Sequence, residues 1–277
     1  MAAWTASWLG IAETTFTCAP ETVDIPLKSD NGDEASTSLL DLCKSTTPPC
    51  RLNPLLFNGH LQTCWTALKG LDIPITYKRR IFESTSTIYP GSFAVDFVTP
   101  TPTIPEGPDP ALPERTTNYT SSAFDLLGSD DERPMLVLLH GLSGGSHEIY
   151  LRHVLRPLCL DAEEEDRWEA CVINSRGCAQ SKITSGHLYN ARSTWDVRQV
   201  VAWIREKWPR RKLFGIGFSM GANILTNVRI LQSNRTEVAR EVLFWCNGVD
   251  VFCCSTSVKK ATAVSSMALS WFPILGI

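Results

Sequence analysis

Read from one end to the other, the chain repeatedly changes the spacing of its apolar residues. Four short runs are almost continuously apolar: Met135 to Leu139, Ala170 to Ile173, Leu213 to Ile216 and Val242 to Trp245. Runs of that length bounded by turn-forming residues have the pattern of strands buried on both faces of a parallel sheet. Tyr77 to Phe82 and Phe93 to Val98 also read as strands, predicted here as an antiparallel edge pair. Between the runs the period lengthens. Tyr150, Leu151, Val154, Leu155 and Leu158 share one helical face behind a start at Ser146. Val197, Val200, Val201, Ile204 and Trp208 share another behind Ser193 and Thr194, with Pro209 as the stop. Strands alternating with helices predict an α/β fold: right-handed βαβ units, a mostly parallel central sheet flanked by helices, and a ligand site at the carboxyl ends of its strands.

Polar and proline-rich stretches divide this pattern. Ser, Thr, Asp and Pro mix over 18–50 and end in Thr47-Pro48-Pro49, which predicts a poorly ordered arm over 1–52. Order is expected from Asn53, in a domain covering 53–251, with 99–133 as a Pro-rich loop insertion and 252–277 as an atypical tail. With 277 residues, 43% of them hydrophobic and 20% charged, one sizeable core is the default. A net charge of -3 leaves no basic field for nucleic acid, which is excluded as a partner. The ten cysteines lack C-x-x-C spacing, so neither a metal site nor a disulfide framework is expected, and a reduced intracellular setting fits. Met1 to Ala19 lacks the basic start of a secretory signal. No run reaches the ~18 apolar residues of a membrane span. Met267 to Ile277 is too short and is broken by Pro273. A cytoplasmic or intracellular location follows, with peripheral contact to a membrane or lipid droplet left open.

The chemistry concentrates where strands turn into helices. Leu213-Phe214-Gly215-Ile216-Gly217-Phe218-Ser219-Met220-Gly221-Ala222-Asn223 runs from an apolar strand through G-x-S-x-G into a helical pattern. In that context the motif is a nucleophile elbow: a strained turn that presents the Ser219 hydroxyl at the top of the sheet. The glycines on either side remove Cβ atoms that would collide with strand and helix. The helix behind it points its first amides at a developing negative charge, which makes Met220 N–H the natural oxyanion donor. The competing reading is a tight βα turn with an incidental serine. Upstream, a strand leads into His140-Gly141-Leu142-Ser143-Gly144-Gly145. This glycine-rich turn suits the second half of an oxyanion hole, with Leu142 N–H as the donor and Ser143 behind it. A phosphate-binding loop is the rival, but G-x-x-x-x-G-K-[ST] is absent.

His140 and His147 flank that turn. His140 is read as shaping its own loop and His147 as lining a pocket, while His60, His153 and His187 are read as structural or exposed. Arg176, in Asn174-Ser175-Arg176-Gly177-Cys178, is expected to tie loops together through its planar donors. Cys178 lacks an upstream base partner and is not read as a nucleophile. Trp65, Trp195, Trp203 and Trp208 are read as core.

On these motifs, together with Asn53-Pro54, Phe57 and Asn58-Gly59-His60-Leu61-Gln62-Thr63, the chain resembles one α/β-hydrolase family from about Asn53 to about Leu231. That family includes the yeast medium-chain fatty-acid ethyl-ester synthase/esterases (alcohol acyltransferases) and the abhydrolase-domain phospholipases and esterases. The resemblance implies an α/β-hydrolase fold and Ser219 as the nucleophile of an esterase, lipase or alcohol O-acyltransferase. Its substrates would be medium-chain acyl esters and alcohols, with no cofactor and with acyl-CoA as a candidate co-substrate. The family order is serine, then acid, then histidine, yet all five histidines precede Ser219. The family's acid and histidine therefore find no match, and the fold is expected to lack its C-terminal strands and helices. Asp250, behind Asn247-Gly248, is weighed as a displaced acid against a turn aspartate that caps the next segment. The alternative to an enzyme is a catalytically silent hydrolase-fold fragment with a binding role.

Overall fold

A computed structural model describes residues 73–100 and 109–233 throughout. Within 11–68 it describes 11–12, 24–27, 35–47, 50–51 and 58–68, with Phe16, Asn53, Leu55 and Leu56. The chain divides into two units near residue 72. In the first, β1 (Ile11–Ala12) pairs antiparallel with β4 (Cys50–Arg51), and β2 (Asp24–Leu27) pairs antiparallel with β3 (Ala35–Ser38). Helix α1 (Leu39–Thr46) starts where the Ser38 hydroxyl accepts the Asp41 amide at 3.0 Å. Helix α2 (Gly59–Leu68) starts the same way, with Asn58 Oδ1 accepting the Leu61 amide at 2.9 Å. The stretch predicted as a poorly ordered arm thus contains regular elements.

The second unit is built on a six-stranded sheet in the order β10-β8-β9-β6-β5-β7. Its strands are β5 (Thr76–Glu83), β6 (Ser92–Thr99), β7 (Thr116–Asn118), β8 (Met135–Leu139), β9 (Glu169–Ile173) and β10 (Leu213–Gly217). Strand β8 runs parallel to both neighbours, with Met135 opposite Leu213 and Glu169, and Leu139 opposite Gly217 and Ile173. Every residue of β8 is buried, as its unbroken apolar run requires. The mostly parallel central sheet expected from the sequence is present.

Alternation along the strands divides the core into two layers. Val137, Leu139, Cys171 and Ile173 face α5 (Trp195–Lys207) and α6 (Met220–Ser233), packing on Val197, Val200, Ile204, Ile224 and Leu225. Leu136, Leu138, Ala170 and Val172 face α4 (Ile149–Cys159) and pack on Leu151 and Leu155. Both of those leucines are fully buried, worth about 1.5–3 kcal/mol each in transfer free energy.

Two local expectations are revised. The β5–β6 pair is antiparallel as predicted, but it is not an edge: β6 pairs with β9, and short β7 lies parallel to β5 on its outer side. Strand β7 comes from the stretch read as a loop insertion, which also supplies α3 (Ser121–Asp125). Phe124 of α3 is buried and stacks on Trp203 at 5.0 Å, so a few apolar residues anchor an otherwise polar stretch to the core. Trp65 also departs from the core reading, being 48% exposed on α2. The run at Val242 to Trp245 and the tail 252–277 lie outside the described residues.

Candidate active site

Strand β10 ends at Gly217, Phe218 is buried, and α6 begins at Met220. Between them Ser219 has φ 51, a left-handed conformation that costs a non-glycine residue on the order of 1–3 kcal/mol. The surroundings enforce it. The Phe218 amide donates to the Leu139 carbonyl at 3.0 Å, extending the β8–β10 ladder one residue past the strand. The Ser219 carbonyl then accepts the Ala222 and Asn223 amides at 3.0 and 3.2 Å, so the helix starts at once. A methyl group at Gly217 would lie 2.4 Å from the Ala222 nitrogen, and one at Gly221 would lie 2.6 Å from the Leu139 carbonyl oxygen. Strand and helix approach so closely here that only hydrogen fits at either position. Ser219 is exposed at the carboxyl end of the sheet. The Met220 amide, first in the helix, has no intrahelical acceptor.

The turn after β8 stands beside this bend. A Cβ on Gly141 would lie 3.6 Å from the Ser219 Cβ and equally far from the Tyr150 hydroxyl, so a side chain there would enter the space in front of the serine. The amides of the turn are distributed among several acceptors. Gly141 N–H donates to the Tyr150 hydroxyl at 3.1 Å, Ser143 N–H to the Tyr189 hydroxyl at 3.3 Å, and Gly144 N–H to the Gly141 carbonyl at 3.3 Å. For Leu142 N–H no acceptor is found among the described residues, and the Leu142 side chain is 72% exposed. Ser143, at φ 57, has its hydroxyl 3.4 Å from that of Tyr189.

His140 is buried and both ring nitrogens are occupied. Its Nδ1 donates to the Gly141 carbonyl at 2.6 Å and its Nε2 accepts the Ser175 amide at 3.0 Å. Accepting at Nε2 requires that nitrogen to be unprotonated, and burial holds the imidazole pKa below its ordinary value. His140 is therefore a neutral brace for the turn with no nitrogen left to serve Ser219. His147 lies 3.8 Å from Glu148, and the His187 ring meets Tyr89 edge-on at 6.0 Å. Ser219 is the partner of none of these three rings. Cys178 is buried and its thiol pKa is pushed up by burial, against nucleophilic use. Asp250 lies outside the described residues. Among the described residues no cluster of three or more His, Cys, Asp or Glu could hold a metal ion.

Arg176 ties loops together as its sequence context suggested. Its guanidinium forms a two-point pair with Asp196 at 2.7 and 2.8 Å and donates to the Tyr89 and Pro90 carbonyls at 3.0 and 2.7 Å. Several other site residues were not legible in the sequence. Tyr150 sits in an apolar helical stripe, where a hydroxyl on an otherwise oily face was the only hint; burial raises its pKa and keeps it a neutral phenol. Tyr189 lies in an irregular stretch with no pattern at all. A buried group formed by Arg79, Asp96, Ser146 and Asn174 beneath the turn came from three separate parts of the chain.

Serine on a left-handed bend between a parallel strand and a helix, beside a glycine turn, is the strand–bend–helix arrangement of the α/β-hydrolase fold. Residues 134–234 match the family described as alpha/beta hydrolase fold. The chain is 37% identical over 201 residues to "Monoacylglycerol lipase" of Saccharomyces cerevisiae, covering 66% of this chain and 42% of that protein. To "Medium-chain fatty acid ethyl ester synthase/esterase 2" of the same yeast it is 32% identical over 203 residues, covering 64% of this chain and 43% of that protein. To human "Phospholipase ABHD3" it is 29% identical over 128 residues, covering 46% and 30%. The expected resemblance is thus found. The chain spans a little over two fifths of the length of the two yeast relatives, 42% and 43%. No helix among the described residues is long and apolar enough to cross a membrane.

Proposed function

We propose that this chain carries the nucleophile and oxyanion half of a serine hydrolase acting on acyl esters. Ser219 Oγ attacks the acyl carbonyl as its proton passes to a general base that none of His140, His147 and His187 supplies; the Met220 and Leu142 amides hold the oxyanion, the acyl C–O (or C–S) bond then breaks, and the alcohol or thiol leaves with that proton, giving an acyl-enzyme. Water as the second nucleophile makes an esterase or lipase. An alcohol makes an O-acyltransferase, with an acyl ester or acyl-CoA as donor and no resident cofactor in either case. The observation that supports this reading most is the φ of 51 at Ser219 together with a Gly141 turn so near that a Cβ there would lie 3.6 Å from the Ser219 Cβ. The printed names of the yeast relatives, a monoacylglycerol lipase and an ethyl ester synthase/esterase, point to apolar acyl chains as the substrate class.

A second reading is favoured by the engagement of His140, His147 and His187 elsewhere. Without a base the Ser219 hydroxyl is a weak nucleophile, and the chain would serve as a non-catalytic hydrolase-fold module. A fluorophosphonate probe on the purified 277-residue chain separates the two. Covalent labelling of the wild type that disappears in Ser219→Ala is the result expected for a hydrolase. A wild type that labels no faster than Ser219→Ala leaves the non-catalytic reading.

A further inference from the structure

Under the turn that faces Ser219, four polar residues are packed almost out of reach of water. Asp96, Ser146 and Asn174 are each 0% exposed and Arg79 is 2% exposed. Asp96 lies in the middle of β6, Arg79 opposite it on β5, Asn174 one residue beyond β9, and Ser146 two residues before the Glu148 cap of α4. A carboxylate in the middle of an otherwise apolar strand is expensive to bury and persists only when its oxygens are saturated. Here they are. Arg79 Nε and Nη2 donate to Asp96 Oδ1 and Oδ2 at 2.6 and 2.7 Å, a planar two-point pair. Oδ2 also accepts the Ser146 hydroxyl at 2.5 Å and the Asn174 side-chain amide at 2.8 Å.

The connection that matters runs through Ser146. Its hydroxyl is held by Asp96 and its backbone amide donates to Asn174 Oδ1 at 2.9 Å, so both the main chain and the side chain of this one residue are fixed. Ser146 closes the His140–Gly145 turn, in which Gly141 stands against Ser219 and the Leu142 amide has no acceptor among the described residues. Next to it, a Cβ on Gly145 would lie 2.6 Å from the Ala179 Cβ, so the turn rests directly on the 178–180 loop. Ala179 and Gln180 both have positive φ, 50 and 58, and Arg79 Nη1 donates to the Ala179 carbonyl at 2.7 Å. One buried ion pair therefore grips the turn at Ser146 and the loop it rests on at Ala179. The sequence suggested Ser146 as the opening of the α4 helix, but α4 is capped at Glu148 with no side-chain bond, and Ser146 spends its hydroxyl on Asp96.

We infer that Asp96, held by Arg79 and acting through Ser146 and Asn174, is a positioning residue that sets the glycine turn at the height needed for its amide to meet the oxyanion at Ser219. The inference rests on the hydrolase reading of Ser219 for its catalytic consequence, although the mechanical claim stands on the hydrogen bonds themselves. Asp96 reaches neither substrate nor nucleophile. Its carboxylate fixes Ser146, Ser146 fixes the end of the turn, and the turn presents Leu142 N–H. A donor that shifts by a fraction of an ångström stabilises the transition state less while leaving ground-state binding of the acyl chain unchanged.

Ser146→Ala is the informative variant, because it deletes one hydroxyl and leaves the Arg79–Asp96 pair intact. Two measurements on the full 277-residue chain are compared with wild type: the rate of fluorophosphonate labelling at Ser219, and hydrogen–deuterium exchange of the peptide covering 140–148. The expected result is labelling about tenfold slower with unchanged probe saturation, and faster exchange in 140–148 while peptides of β8 and β10 exchange as before. Asp96→Asn, which keeps the shape and loses the charge, should reproduce both effects more strongly if it folds. A purely structural role would lower the melting temperature and leave the labelling rate of the folded chain untouched. Wild-type labelling together with wild-type exchange in Ser146→Ala overturns the inference. A wild type that does not label overturns the hydrolase reading instead, and the exchange of 140–148 then decides by itself whether Ser146 holds the turn.

Discussion

Replacing Gly221 by alanine sets two effects of opposite sign against each other. Gly221 is the second residue of α6 and its backbone is helical, so alanine there should stabilise the helix by up to about 1 kcal/mol. The new methyl, however, would lie 2.6 Å from the Leu139 carbonyl oxygen, 2.7 Å from that of His140 and 2.8 Å from the Leu139 Cβ. Two of these neighbours are backbone atoms at the end of the central strand, which no rotamer change can move. Restoring ordinary contact at 3.4 Å requires the start of α6 to retreat by about 0.8 Å, an overpacking that costs about 1–3 kcal/mol. Set against a full helical gain, the steric term leaves a net loss of up to about 2 kcal/mol and a fall in melting temperature of up to about 8 °C for a domain of this size. Met220 N–H moves with the helix, and a displacement near 1 Å costs up to about 100-fold in rate, so fluorophosphonate labelling should slow at least about tenfold. Thermal melts followed by circular dichroism and time courses of labelling measure the two effects separately. A Gly221→Ala chain that melts at or above the wild-type temperature and labels at the wild-type rate would refute the claim that close backbone approach dictates glycine here.

Three further outcomes follow from the same structure. The His140 ring is held neutral by burial, with a folded pKa below the ~6.5 of the unfolded chain. The unfolded state therefore binds more protons below that value, and stability should fall as pH drops from about 7 toward the folded pKa. A His140→Gln variant should lack this part of the melting-temperature profile below about pH 7; an identical profile in both chains would contradict the assignment. Phe124→Ala should destabilise the sheet unit by about 3–5 kcal/mol, because Phe124 fills the space between Phe82, Phe97, Tyr119 and Trp203. A change under about 0.5 kcal/mol in denaturant titration would return 121–125 to the status of a surface loop. Ser219→Ala, by contrast, removes only an exposed hydroxyl and relieves nothing in the core, so it should melt within about 1 °C of wild type while losing all labelling.

What the sequence determined by itself was whatever depends on short-range order. The apolar runs named β8, β9 and β10 to within a residue, because a strand buried on both faces must be apolar at every position. The glycines at 217 and 221 announced a bend at Ser219, since a backbone that approaches another this closely excludes a Cβ. Arg176 could be read as a tie between loops because a guanidinium beside a strand end has few other uses. Tertiary structure alone decided the rest, and for one physical reason: these features are satisfied by residues far apart in the chain. Asp96 reads as an anomaly in its strand until Arg79, Ser146 and Asn174 close around it across separations of 17, 50 and 78 residues. Tyr150 reads as one residue of an apolar helical face until its hydroxyl meets Gly141, and 99–133 reads as a loop insertion until Phe124 reaches the aromatic cluster. Local pattern records which backbone a residue can adopt. Only the folded chain shows which distant group its polar atoms must answer.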